Sequence, residues 1–239
     1  MNEKKIKVAV ITTLGSNLIQ AKMTPLSRVD LISEILFVTD KPGPPIPKVR
    51  YIILPKFFYL LFIFKSITKF VCLFYVVLVY RPSIVMSYNI LHHGYSAWLV
   101  ARLLNKKIYL HLIAGFKDIK IEKEFSDNNL VKKYPFICGV LDRLNAWVAI
   151  HSDLLFVPGK ETLNLLKKEL HIPDNKIHCL HSTIDIKRFF PKAESPIYDV
   201  IFTGRFQAVK RIDFFLKAIE LVKKRIPNVS RWRKRSAES

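Results

Sequence analysis

What most constrains this chain is the regular alternation of short apolar runs with helical stretches. Ile6 to Thr12 has a strand's length and suits burial on both faces, and Leu14-Gly15-Ser16-Asn17 then turns the chain into a helical stretch toward Arg28. Further strand-like runs follow at Glu34 to Thr39, Val49 to Leu54, Ser83 to Tyr88, Lys107 to Ile113, Asp153 to Val157 and Lys176 to Leu180. Helical stretches at Gly94 to Leu104, Val131 to Ile150 and Glu161 to Leu170 separate them. Strand and helix in turn predict an α/β fold with a doubly wound parallel sheet. Lys41-Pro42-Gly43-Pro44-Pro45-Ile46-Pro47 has to be a loop, because its prolines bring no N–H to a sheet.

Phe57 to Tyr80 is long enough to cross a bilayer but carries Lys65 and Lys69. At roughly 3 kcal/mol each, two central lysines offset most of the insertion energy of the apolar residues around them. Crossing here would also put the strands on either side of it on opposite sides of a membrane. The expectation is a helix partly buried in the fold and partly resting on a membrane surface. Half of the 239 residues are apolar, enough for a core of real size. The formal charge of +20 attracts anionic membranes, nucleic acid or phosphorylated substrates. Nucleic-acid binding is not expected, since no zinc-finger spacing or aromatic-interleaved basic motif is present. Cys72, Cys138 and Cys179 lie far apart, which suggests neither a disulfide framework nor a zinc site and fits a reduced, cytoplasmic setting. Met1-Asn2-Glu3-Lys4-Lys5 leads straight into the first strand run, so no cleavable signal is expected.

Past Leu180 the pattern lapses into polar residues with Pro191 and Pro196, a hinge. "VIFTGRFQAVKRIDFFLKAIE", from Val200 to Glu220, then reads as a buried strand, a Gly-Arg turn and an amphipathic helix, the way α/β proteins build an anion site. From Gly204 onward there are eleven Lys and Arg against three Asp and Glu. The last ten residues, "SRWRKRSAES", have no periodicity and look unstructured.

A large α/β domain, then "HSTIDIKRFFP", then "VIFTGRFQAVKR" resembles the retaining glycosyltransferases of the GT-B fold, family 4. That family joins its two domains through I-D-x-x-x-F-x-P and ends the next strand in G-R-x-x-x-x-K. The matching positions here are Ile184, Asp185, Phe189 or Phe190, Pro191, Gly204, Arg205 and Lys210. "GSN" at Gly15 and "SDLLFVPGKETLNLL" are also similar to the family's first domain. Thr183 and Arg211 stand where the family has glycine, which loosens the match.

The resemblance implies domains at 1–182 (acceptor side), a hinge at 183–198, the start of a nucleotide-sugar-binding domain at 199–229 and a basic tail at 230–239. It implies transfer of a sugar from a nucleotide sugar to a saccharide or lipid-linked acceptor with retention, as in polysaccharide biosynthesis, on a peripheral cytoplasmic membrane face. Arg205 and Lys210 would hold the donor diphosphate, with Gly204 letting the backbone come close and Gly15 facing the same group. Gly15 also suits an ordinary strand-to-helix turn. His111, at the edge of the sheet, would sit near the transferred sugar as the catalytic residue, though the position also suits a core or loop histidine. Tyr88, Asn89, His92 and His93 could shape an acceptor site or form a plain polar loop. With no D-x-D in the chain, neither a metal nor another cofactor is expected. The family's E-x7-E motif lies downstream of the G-R turn. Glu161 and Glu169 have its spacing but precede the hinge, and read as surface carboxylates paired with nearby lysines. The expectation is therefore a shortened donor domain with little or no transferase activity, whether from an early stop, a frameshift or a fragment. The rival expectation is a non-catalytic module that binds a membrane surface or a partner.

Overall fold

The computed structural model describes residues 5–53, 65–91, 93–121, 131, 133–181, 190, 199–204, 206 and 210–227. The chain divides into two compact units, Met1–Ile121 with Gly139–Asp185, and Glu122–Cys138 with Ile186–Ser239.

The first unit is a seven-stranded parallel sheet flanked by helices. In chain order it holds β1 (Ile6–Ile11), α1 (Ser16–Ser27), β2 (Ile32–Thr39), β3 (Val49–Ile53), α2 (Lys65–Tyr80) and β4 (Ile84–Ser87). It continues with α3 (His93–Leu103), β5 (Lys107–His111), α4 (Cys138–Ile150), β6 (Leu154–Val157), α5 (Lys160–Leu170) and β7 (Ile177–Cys179). The strand order is β3-β2-β1-β4-β5-β6-β7. From β1 the chain moves toward one edge through β2, and from β3 it returns across the sheet to β4. Helices α1 and α2 then lie on opposite faces of the sheet.

Residues of β1 alternate between two cores, as a strand buried on both faces must. Ala9 and Ile11 join Leu73, Val76 and Val77 of α2, Val100 of α3 and Leu166 of α5 on one face. Val8 and Val10 join Ile19 and Met23 of α1 on the other. Helix α2 turns Thr68, Lys69, Cys72, Leu73, Val76 and Val77 inward, at the spacing of one helical stripe. Lys69 is thus a core residue of the fold. Among the described residues no helix is long and apolar enough to cross a membrane.

Two elements differ from the sequence expectation. The long helix from Val131 is broken by a 3-10 turn at Pro135–Ile137, and regular helix begins at Cys138. Proline drives the residue before it out of helical geometry, and Tyr134 sits at φ −131° and ψ 72°. The second difference is in the other unit: Val200 to Thr203 forms no strand, and Ile201 and Thr203 are exposed. A strand exists only through its neighbours' hydrogen bonds, and no described residue pairs with this run. The helix after it, α6 (Ile212–Arg225), does form, with the Phe215 ring tilted against that of Phe202 at 4.9 Å.

Candidate functional site

The strand order reverses between β1 and β4, and at such a point the crossing helices leave an open crevice at the strands' carboxyl ends. Thr12 and Thr13 follow β1, Asp40 follows β2, Tyr88 and Asn89 follow β4, His111 closes β5, and Pro158 follows β6. These residues are brought to one edge by the parallel arrangement alone.

His111 is almost wholly buried, with the Tyr88 ring 4.5 Å away and the Phe156 ring stacked at 4.6 Å. Burial, and secondarily the charge of Lys22, pull its pKa down to about 3, so the imidazole is neutral across the physiological range. A pocket of about 70 Å³ opens beside it, walled by Leu14, Leu18 and Lys22 at the start of the chain and by Ile113, Pro158 and Leu180 beyond later strands. Desolvation lowers the pKa of Lys22 in this partly apolar setting. The pocket therefore offers a cation and a neutral hydrogen-bonding ring between apolar walls. Such a set suits a ligand with a negative group, hydroxyls and an apolar face.

Nearer β2 lies a second polar cluster. The Lys69 ammonium is 2.8 Å from an Asp40 carboxylate oxygen and donates to the Thr13 hydroxyl at 2.9 Å. Thr13 in turn lies 2.8 Å from His93 Nε2. Thr13 thus links the Lys69 ammonium to the His93 ring. Close by in the chain, Thr12 Oγ1 and Asn89 Oδ1 are buried with no hydrogen-bond partner among the described residues. Buried polar atoms are rarely left so, and both lie at the edge where the crevice opens.

The turn after β5 carries a carboxylate that no sequence motif marks. Asp118 accepts the Ala114 N–H at 2.8 Å, and burial raises its pKa to about 6 although hydrogen bonds from Ala114 and Ile113 work against the rise. The 3-10 turn Gly115–Asp118 starts at φ +69°, and a β-carbon on Gly115 would stand 2.8 Å from Thr162 Oγ1. Glycine is needed there on both counts.

The expected site residues are distributed as follows. His111 lies at the carboxyl edge, and the structure adds Lys22 to it, which no local sequence signal marked. Gly15 caps α1 in extended geometry, and nothing lies within 4 Å of where a β-carbon would stand, so neither packing nor backbone demands glycine there. Gly204 is exposed in the second unit, where the Lys210 stem passes 3.8 Å from its β-carbon position. Arg205, His92, Thr183, Ile184, Asp185, Phe189 and Pro191 lie outside the described residues. Arg211 adopts the left-handed conformation at φ 47°, a region that favours glycine. Glu161 and Glu169 are exposed on α5, and the ion pair found nearby joins Lys167 to Asp174 at 2.9 Å rather than to a helical neighbour. Among the described residues no group of three or more His, Cys, Asp and Glu is placed to hold a metal ion.

No family model matches the chain, and no curated protein matches it. Solved structures do. Sucrose-phosphate synthase from Thermosynechococcus elongatus superposes with a TM-score of 0.65 at 12% identity, over 98% of this chain and 71% of its own. Anabaena Alr3699/HepE, solved in complex with UDP-glucose, gives 0.57 at 9% identity over 98% and 70%. MnaA from S. aureus, solved with UDP, gives 0.56 at 16% identity over 97% of this chain, which spans 62% of MnaA's length. At these identities the likeness is one of fold: a Rossmann-like α/β sheet of the kind found in GT-B nucleotide-sugar enzymes.

Proposed function

We propose that this chain contributes the acceptor-side domain and the start of the nucleotide-sugar-binding domain of a glycosyltransferase that moves a sugar from a nucleotide-sugar donor to a saccharide or lipid-linked acceptor, with retention of configuration. The observation that carries this reading is the neutral His111 and the cationic Lys22 lining one pocket at the carboxyl edge of the sheet. The fold neighbours crystallised with UDP and UDP-glucose support the donor class.

In this reading the ring of His111, fixed between Tyr88 and Phe156, exchanges hydrogen bonds with a sugar hydroxyl. It does not serve as an acid, because it holds no extra proton at neutral pH. Lys22 offsets an anionic group of the ligand. Arg205 and Lys210, just beyond the hinge, grip the diphosphate as its charge grows, and so favour the transition state over the bound substrate. A planar guanidinium and a compact ammonium then supply the positive charge without a metal. Gly204, beside Arg205 in the chain, lets the backbone approach the phosphates.

Calorimetric titration of the full chain with UDP-glucose and with UDP tests the reading. We expect UDP-glucose to bind more tightly than UDP, with His111→Ala abolishing the difference and Lys22→Ala weakening binding about tenfold, the worth of one charge-assisted hydrogen bond. Absence of heat with either ligand, or an unchanged preference in His111→Ala, would overturn it.

A further inference from the structure

Helix α4 carries an asparagine where its inward stripe calls for an apolar residue. Asn145 is fully buried, and Val148 and Ala149 follow it into the core. Its amide is satisfied: Oδ1 accepts from the Tyr95 hydroxyl of α3, and Nδ2 donates to the Ile119 carbonyl at 3.1 Å. A buried polar bridge of this kind adds little net stability, since well-packed apolar residues of similar volume serve as well or better. What it adds is a fixed geometry, because each bond is lost if its partner moves.

The group held in this way is the end of the turn after β5. Residues 113–121 form no strand and only the short 3-10 turn Gly115–Asp118, so regular structure does little to place them. Among the described residues, three side-chain contacts fasten the segment instead. The Asp118 carboxylate accepts the Ala114 N–H at 2.8 Å, Asn145 takes the Ile119 carbonyl, and the Asp142 carboxylate of α4 accepts the Ile121 N–H at 2.8 Å. Asp142 and Asn145 stand three residues apart and so share one face of α4. Between their two bonds the Ile119 side chain is 3% exposed and set into the core. At the other end of the same segment Ile113, 45% exposed, is a wall of the pocket beside His111.

We propose that Asn145 is a positioning residue: by holding the Ile119 carbonyl it fixes the turn that carries Ile113, and so the width of the pocket beside His111. The use of that width, which is to hold the sugar of UDP-glucose against the imidazole, rests on the sugar-transfer reading above.

Amide exchange of the full chain, read by NMR without ligand, and calorimetric titration with UDP-glucose and with UDP test the proposal together. Asn145→Leu keeps the bulk and leaves the Ile119 carbonyl without its donor. Exchange at Ile113 and Ala114 should quicken about tenfold more than in β1 and β4, the worth of one hydrogen bond. The preference for UDP-glucose over UDP should fall by about the same factor. Tyr95→Phe frees the Asn145 amide to turn while keeping the ring, and should move both readings the same way by about threefold. It carries the test should Asn145→Leu not fold. Val76→Ala opens a cavity in the core under α2 and is the control for lost stability alone: it should speed exchange across the sheet and leave the ligand preference unchanged. Exchange at Ile113 and Ala114 that stays at the parent rate in both Asn145→Leu and Tyr95→Phe would overturn the proposal, and so would quickened exchange with the ligand preference kept. A parent chain that binds neither ligand sinks the sugar-transfer reading instead, and exchange at Ile113 and Ala114 then decides alone whether Asn145 holds the wall.

Discussion

Lys69 offers the sharpest energetic test of the fold. Its side chain is 6% exposed and lies 2.8 Å from Asp40, whose side chain is 35% exposed. The two partners are therefore not equivalent. Asp40→Ala leaves a buried ammonium with Thr13 as its described hydrogen-bond acceptor. Breaking a buried pair in this way costs about 3–5 kcal/mol, and the lower end applies because water reaches the Asp40 side. Lys69→Met removes the charge and fills the same space, while the exposed Asp40 carboxylate recovers water, so the loss is about 1 kcal/mol. For a chain of this size each kcal/mol lowers Tm by roughly 2–4 °C. Asp40→Ala should then lose roughly 6–12 °C and Lys69→Met roughly 2–4 °C. Adding Lys69→Met to Asp40→Ala should recover about 2 kcal/mol, since the stranded charge is gone. Urea unfolding of the four proteins at neutral pH reads these values directly. If the two single variants lose equal stability, or if the double variant is worse than Asp40→Ala alone, the buried-pair account is wrong.

Two further outcomes follow from the turn after β5. Because the Asp118 pKa is raised from 3.8 to about 6, its contribution to stability is present below its unfolded value and is lost as pH rises through about 6. The rise corresponds to at most about 3 kcal/mol, so the Tm of Asp118→Asn relative to the parent should climb by roughly 5 °C between pH 4 and 7, and a flat difference would count against a raised carboxyl pKa in this half-buried position. Gly115→Ala should cost about 2 kcal/mol from its left-handed backbone and the close Thr162 hydroxyl, and Thr162→Ala in the same chain should restore only the contact part; full restoration in a melt would mean that the backbone is unstrained.

The strands were legible in sequence because a parallel strand buried on both faces is a nearly continuous apolar run, and β1 shows it. Helix α2 was harder. There was reason in the sequence to expect it partly buried in the fold, but not that Lys69 lies on the buried side, because Asp40 lies 29 residues away in the chain and no local pattern announces an ion pair closed by the sheet. His111 could be placed from its position at a strand end, whereas Lys22 becomes a site residue only when α1 is laid against β5, β6 and β7. Asp118 has an ordinary side chain in an ordinary turn, and its raised pKa comes from burial that three-dimensional packing supplies. The break at Pro135 was passed over when the helix was read from Val131, although proline restricts the residue before it in any context. Val200 to Thr203 has a strand's composition, but pairing is a property of two segments and cannot be read from one.

The claim at the centre of this account is that a nucleotide sugar rests against the neutral imidazole of His111. NMR of the histidine ring nitrogens during titration with UDP-glucose tests it most directly, with His111→Gln assigning the signal. The account predicts a saturable shift of the His111 resonance, with the exposed His151 and His178 signals unmoved. A His111 signal that stays fixed while UDP-glucose binds, or a titration in which no ring signal moves, would contradict it.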